Sequence, residues 1–300
     1  MITPIEKMYS EKNNVYIKRD DLLPFSFGGN KARKSKYFFQ EIEKQKNDVV
    51  VTYGSSSSNH CRIVANKACA NGIKCYIISP EENYKKTANS KMIDLFDAEV
   101  IKVPISFVAK TIDELMKKLR TSHNPYFIPG GGHGNLGTQA YIDAYEEICE
   151  YESENGIKFD YIFLASGTGT TQAGLIAGKI INKRHGQKII GISIAREQEY
   201  GKSIIVDSLS KYFDDNSDYE SEVFLNDEYI CGGYGDYNDE IISTIRNTIR
   251  NNGIAFNTTY TGKAFWGMEQ YLKKNKIQDK NVLFINTGGT PLFFDVLEGI

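Results

Sequence analysis

The 300-residue sequence has no apolar run long enough to span a membrane, and its first residues, Met1-Ile2-Thr3-Pro4-Ile5-Glu6-Lys7, lack the apolar core of a signal peptide. Those absences predict a cytoplasmic protein with no membrane partner. An excess of one charge is missing as well. Thirty-six basic residues against 38 acidic ones give a net charge of -2, short of the basic surplus that a general nucleic-acid surface needs. The five cysteines, Cys61, Cys69, Cys75, Cys149 and Cys231, contain no Cys-x-x-Cys pair, so neither a disulfide framework nor a zinc site is expected. Four scattered histidines without a His-Glu-x-x-His pattern point the same way, to no metal. No repeat or low-complexity segment occurs, and the acidic stretch 214–218 reads as a solvated loop.

What the sequence does have is a regular alternation. Strands are predicted at 15–20, 48–53, 74–79, 99–104, 126–129, 161–165, 188–195, around Val223 and at 281–286. Between them fall helices at 31–45, 59–71, 87–96, 108–120, 138–152, 172–184, 203–213, 238–251 and 261–274, with a short one from Pro291. Such alternation implies an α/β protein whose mostly parallel sheets are covered by helices on both faces. The glycine-rich run 130–137 interrupts it and is a candidate hinge between two domains.

Three strand-to-helix junctions carry chemistry. In Phe27-Gly28-Gly29-Asn30-Lys31-Ala32-Arg33-Lys34 the glycines allow a sharp turn, and Asn30 is a suitable N-cap for the helix that follows. Lys31 then sits at the positive end of a helix, which lowers its pKa toward the partly neutral amine that Schiff-base chemistry requires. Alone, this lysine reads equally well as one more solvated cation beside Arg33, Lys34 and Lys36. The run Ser166-Gly167-Thr168-Gly169-Thr170-Thr171-Gln172-Ala173-Gly174 offers backbone N–H groups, hydroxyls and a helix dipole to a phosphate. It is not a Walker loop, and Ala173-Gly174 with Glu197 fits a dinucleotide pattern less well than a phosphate cup; a plain tight turn is the bland alternative. Gly54-Ser55-Ser56-Ser57-Ser58-Asn59-His60 could bind a carboxylate at its helix start, or simply cap it. A Ser-His dyad there lacks a third member.

These stretches, with Lys18-Arg19-Asp20-Asp21, Tyr260-Thr261-Gly262-Lys263-Ala264 and Thr287-Gly288-Gly289-Thr290-Pro291, resemble the 1-aminocyclopropane-1-carboxylate deaminase and D-cysteine desulfhydrase family in order and over nearly the whole chain. The resemblance implies pyridoxal 5'-phosphate as cofactor and the tryptophan synthase β-like fold: two open, twisted, mostly parallel sheets flanked by helices. It implies a large domain from 1–34 and 136–300, a small domain from 35–135, and a homodimer. It implies that Lys31 carries the cofactor through an imine, that Ser166, Gly167, Thr168, Gly169, Thr170 and Thr171 hold its phosphate, and that Asn59 meets its ring hydroxyl. By the same resemblance Ser58, Tyr234 and Tyr260 act at the substrate, with Ser57 and His60 beside it; His133 is either a further substrate contact or an exposed loop residue.

Within that family the ring-opening deaminase has a glutamate where this chain has Thr261 and a leucine where it has Thr287, whereas the D-cysteine enzyme has threonines. A hydroxyl leaves the pyridine ring closer to neutral than a carboxylate does, so Thr261 and Thr287 favour β-elimination from a small amino acid, D-cysteine foremost, over ring opening. β-Replacement, and a non-catalytic nucleotide-binding role for the 166–174 loop, are the other readings. Ser57, where the family has glutamine, and Gly131-Gly132-His133-Gly134, where it has a Gly-Gly-Ser loop, depart from the pattern. Cys61 reads as a packing thiol rather than a nucleophile.

Overall fold

The computed structural model describes residues 2–10, 12–81 and 86–297. The chain divides into two compact units, residues 1–33 with 137–300, and residues 34–136.

In chain order the elements are β1 (Ile5–Lys7), β2 (Asn14–Arg19), α1 (Asn30–Lys44), β3 (Val49–Tyr53), α2 (Asn59–Ala70), β4 (Lys74–Pro80), α3 (Ala88–Leu95), β5 (Glu99–Val103), α4 (Val108–Leu119) and β6 (Pro125–Ile128). They continue with α5 (Asn135–Asn155), β7 (Tyr161–Ser166), α6 (Thr170–Ile181), β8 (Lys188–Ser193), α7 (Gln198–Phe213), β9 (Phe224–Asn226), α8 (Asp239–Asn252), α9 (Thr261–Lys274), β10 (Asn281–Asn286) and α10 (Pro291–Phe294). Among the described residues no helix is long and apolar enough to cross a membrane.

The larger unit holds a six-stranded sheet in the order β1-β2-β10-β7-β8-β9, parallel except for β1. Successive side chains on a strand face opposite ways, and the core follows that period. Ile162, Leu164, Leu283 and Ile285 pack on one face with α5, α6 and α7. Phe163, Ala165, Val282 and Phe284 pack on the other with α8 and α9. Both faces are therefore apolar, as a parallel sheet covered on two sides requires. The smaller unit repeats the scheme with a parallel sheet β5-β4-β3-β6. There Val50 packs with Phe38, Ile42, Val64 and Ala68 on one side, and Val49 and Val51 meet Met116 and Leu119 on the other.

Three departures from the sequence reading have local causes. β1 was not expected; it has only three residues, and its order comes from antiparallel pairing with β2. α7 starts at Gln198 rather than 203, because Gly201 does not break it: a Cβ there would lie 2.3 Å from Leu225 Cδ2, so the bare Cα is what lets β9 pack close. α5 begins at Asn135 and α6 at Thr170, each a few residues before the expected start: α5 takes Gly137 into its first turn, and α6 starts directly after Gly169.

A buried charge cluster ties the N-terminal arm to α1 and α5. Arg33 donates from Nη2 (2.8 Å) and Nε (3.1 Å) to the carboxylate of Asp20, which also accepts from Tyr141 (2.6 Å) and Thr3 (2.8 Å). Glu147 receives Lys18 and Arg33, each at 2.5 Å. Burial alone raises the pKa of Asp20, but the charges of Arg33 and Lys18 outweigh it and hold the carboxyl at about 2. Asp20→Asn leaves Arg33 short of a counter-charge and is expected to cost about 3–5 kcal/mol at neutral pH in denaturant unfolding. Because the native pKa is depressed, the gap between variant and parent should be full above about pH 4 and shrink as pH falls toward 2.

Candidate active site

The parallel strands β2, β10 and β7 are adjacent, so their C-terminal ends lie along one edge of the sheet, where open α/β sheets bind ligands. Each end leads into one of the predicted stretches. β2 runs through a short helical turn, Asp20–Leu22, to the glycine turn and Lys31. β7 opens into residues 167–169, and β10 into residues 287–290.

The turn before Lys31 is strained. Ser26, Phe27, Gly28 and Gly29 all have positive φ, at 47°, 59°, 61° and 92°. Two of them carry a Cβ, which disfavours that region by about 1–2 kcal/mol each. The backbone N–H of Gly29 donates to Asp20 O (2.6 Å), and that of Asn30 to Thr287 O (3.0 Å), which fixes the helix start beside the end of β10. Asn30 is not the expected cap. It lies inside α1, and its side-chain amide donates to Thr171 Oγ1 at 3.1 Å, joining the lysine helix to the start of α6. Lys31 is partly buried, and loss of solvation pushes its amine down to about 8 with no carboxylate to reverse the shift.

At α6 the residue before the helix, Gly169, has φ 86°, and no side chain caps the first turn. Ser166, Thr170 and Thr171 are buried, while Gly167 and Thr168 are half-buried. Thr171 Oγ1 accepts from Asn30 and keeps its own hydrogen to donate. Thr261 is fully buried; its hydroxyl accepts from the backbone N–H (3.1 Å) and side-chain amide (3.0 Å) of Asn257. Asn257 also donates to Gly288 O (3.1 Å), so it braces the 287–290 loop against α9. Thr287 is 6% exposed, and its hydroxyl meets no hydrogen-bond partner among the described residues.

Tyr234 and Tyr260 come together, hydroxyl to hydroxyl at 2.5 Å with rings edge-on. The loop bearing Tyr234 is held by Lys263, whose buried ammonium donates to Ile230 O (2.6 Å) and Gly233 O (2.8 Å). Burial pushes the Lys263 pKa down.

The smaller unit carries the remaining predicted residues. β3 and β6 are neighbours, so the 54–58 loop and the 129–133 turn adjoin; a Cβ on Gly130 would meet the Tyr53 ring. Ser58 caps α2, its Oγ accepting from the N–H of Cys61 (3.2 Å). Ser57 Oγ meets Ser55 Oγ at 3.2 Å, and His133 is half-buried in extended backbone. His60 is turned inward. It is 4% exposed, and its Nε2 bonds Thr52 Oγ1 (2.8 Å), whose own hydrogen goes to Ile128 O (2.8 Å). Thr52 must therefore accept, which puts the ring proton on Nε2 and leaves no Ser58–His60 dyad through that nitrogen. The Cys61 thiol is fully buried and pushed up to about 12 by that burial, in keeping with a packing role. Asn59 is half-buried, and its Oδ1 accepts from Asn89.

Asn257, Lys263 and Asn89 were not singled out from the sequence. Lys263 stood within a quoted motif, but its carbonyl partners lie 30 or more positions away.

The residues of the larger unit fit a phosphorylated pyridine aldehyde. An uncapped helix start with hydroxyls suits the phosphate, a desolvated amine suits the aldehyde, and the unpartnered Thr287 hydroxyl suits a ring nitrogen. The sequence profile of pyridoxal-phosphate dependent enzymes matches residues 2–288. D-cysteine desulfhydrase of Yersinia enterocolitica is 30% identical, the alignment covering 97% of this chain and 92% of that one. The Yersinia pestis protein of the same name is 31% identical with the same coverage. Among solved structures, an ACC deaminase homologue superposes with a TM-score of 0.86 at 29% identity over 100% of this chain and 93% of the other. A hydrogen sulfide-producing enzyme from Fusobacterium nucleatum, 19% identical with a TM-score of 0.69 over 96% of both chains, shares the fold. This chain belongs to the family of pyridoxal-phosphate dependent enzymes and has their tryptophan synthase β-like fold.

Proposed function

We propose that the protein is a lyase that eliminates the β-substituent of a small amino acid, with D-cysteine as substrate and pyruvate, sulfide and ammonia as products. The observation that carries the reading is Lys31: a desolvated amine, its pKa down to about 8, on the same sheet edge as the uncapped α6 start and the Thr287 hydroxyl. The names of the relatives at 30–31% identity support the substrate.

The roles follow from the residues. Residues 166–171 hold the cofactor phosphate, Lys31 holds its aldehyde carbon, and Asn59 meets its ring hydroxyl. When bound, pyridoxal phosphate supplies an electron sink for the pair left at the substrate α-carbon. Lys31, released as a neutral amine, takes the α-proton; near pH 7 a pKa of about 8 leaves it basic yet partly unprotonated. The hydroxyl pair Tyr234–Tyr260, in which one hydroxyl donates to the other, gives a proton to the departing sulfur. Ser58, with its oxygen already serving as a cap, uses its hydrogen to donate to the substrate carboxylate; Ser57 and His133 border the side chain. Thr261 positions Asn257 and, through it, the loop of Thr287. The released 2-aminoacrylate hydrolyses to pyruvate and ammonia in water.

Ring-opening deamination is the second reading, kept by the likeness to the ACC deaminase homologue. Supplying D-cysteine, L-cysteine and 1-aminocyclopropane-1-carboxylate separates the two. Pyruvate and sulfide in equal amounts from D-cysteine are expected; 2-oxobutyrate from the cyclopropane in place of sulfide release would overturn the assignment. Lys31→Met is expected to lower kcat by at least about 10³-fold. It should also stabilise the cofactor-free protein by about 1–3 kcal/mol at pH 7, read by urea unfolding, because it removes a charge that burial penalises. The native pKa is depressed, so that gain should be full below about 8 and vanish as pH approaches 10.5.

A further inference from the structure

The serine loop that ends at Asn59 is held from outside by the first turn of α3. Thr87 caps α3, accepting from the Ser90 N–H (3.2 Å) and donating to Ser56 O (3.2 Å). Two residues on, Asn89 is fully buried and donates from Nδ2 to Ser57 O (2.8 Å) and to Asn59 Oδ1 (2.9 Å). An amide nitrogen has two hydrogens, and here each has one acceptor.

The orientation of both amides follows from a group that cannot be reversed. The Ser57 carbonyl only accepts, so the Asn89 nitrogen must face it; turning Asn89 over would set oxygen against oxygen at 2.8 Å. With that nitrogen fixed, its second hydrogen requires an acceptor from Asn59, which must therefore present Oδ1 inward. The Asn59 NH2 is left pointing away from Asn89, half-buried and without a hydrogen-bond partner among the described residues. The arrangement leaves the buried Oδ1 of Asn89 with no partner, a cost that packing alone would not call for.

We propose that Asn89 is a positioning residue that presets Asn59 as a hydrogen-bond donor, with its amide nitrogen directed at an anionic or phenolic oxygen of the bound cofactor. The inference rests on the reading above, in which Asn59 meets the cofactor's ring hydroxyl. A freely turning Asn59 offers that oxygen either end of its amide; a preset one offers only the donor.

Asn89→Asp tests this with little change of shape. A carboxylate at 89 accepts rather than donates, so the Asn59 amide turns over and presents its oxygen outward. Titration of cofactor-free protein with pyridoxal phosphate should show binding weakened by about tenfold and a shifted visible band. Asn89→Ala, which frees Asn59 without reversing it, should give a smaller change in the same direction and serves if the aspartate variant does not fold. In an Asn59→Ala background the Asn89→Asp change should add nothing further, a result that a merely structural role would not produce. Wild-type affinity and band in both Asn89 variants, or a loss that persists undiminished in Asn59→Ala, would overturn the proposal alone. A parent protein that takes up no pyridoxal phosphate would overturn the cofactor reading and this inference together.

Discussion

Asp20 is bonded on both sides of the turn that precedes Lys31. Its backbone oxygen takes the Gly29 N–H at 2.6 Å, and its carboxylate takes Arg33, one helical turn on. Between those two anchors lie a run of four residues at positive φ and the first turn of α1. A strained segment persists only where its surroundings over-determine it. Here the surroundings are a buried carboxylate that accepts four hydrogen bonds from Thr3, Arg33 and Tyr141.

The same helix shows how burial acts with and without a counter-charge. Arg33 is desolvated as Lys31 is, yet Asp20 and Glu147 raise its pKa and keep it charged. Lys31, two residues earlier, has no such partner and its pKa falls to about 8. Both side chains lose solvation, but only the arginine has carboxylates beside it, and only the lysine's pKa falls. The cluster around Asp20 fixes the position of the amine without lending it charge.

Much of this was legible in the sequence because it is local. Strand-helix alternation in 49–53, 161–166 and 281–286 follows from apolar runs, and the glycine and hydroxyl runs at 28–34 and 166–171 mark turns into helices wherever they occur. The residues that were missed act across distance. Asn30 has the composition of a cap, but Thr171, 141 positions away, takes its amide. Asn89 meets Asn59 over 30 positions, and Asn257 meets Gly288 over 31. Such partners are set by tertiary packing, which propensity and periodicity do not encode. Gly201 is the converse case, a helix-breaking residue retained inside α7 because Leu225 needs the room.

We propose that half-buried Lys31, rather than one of the fully buried lysines, is the covalent anchor of the cofactor. Reduction of the loaded protein with borohydride, followed by peptide mapping, tests it most directly. One pyridoxyl group per chain, on Lys31, is expected. A label on Lys34 or Lys263, both buried, would contradict it.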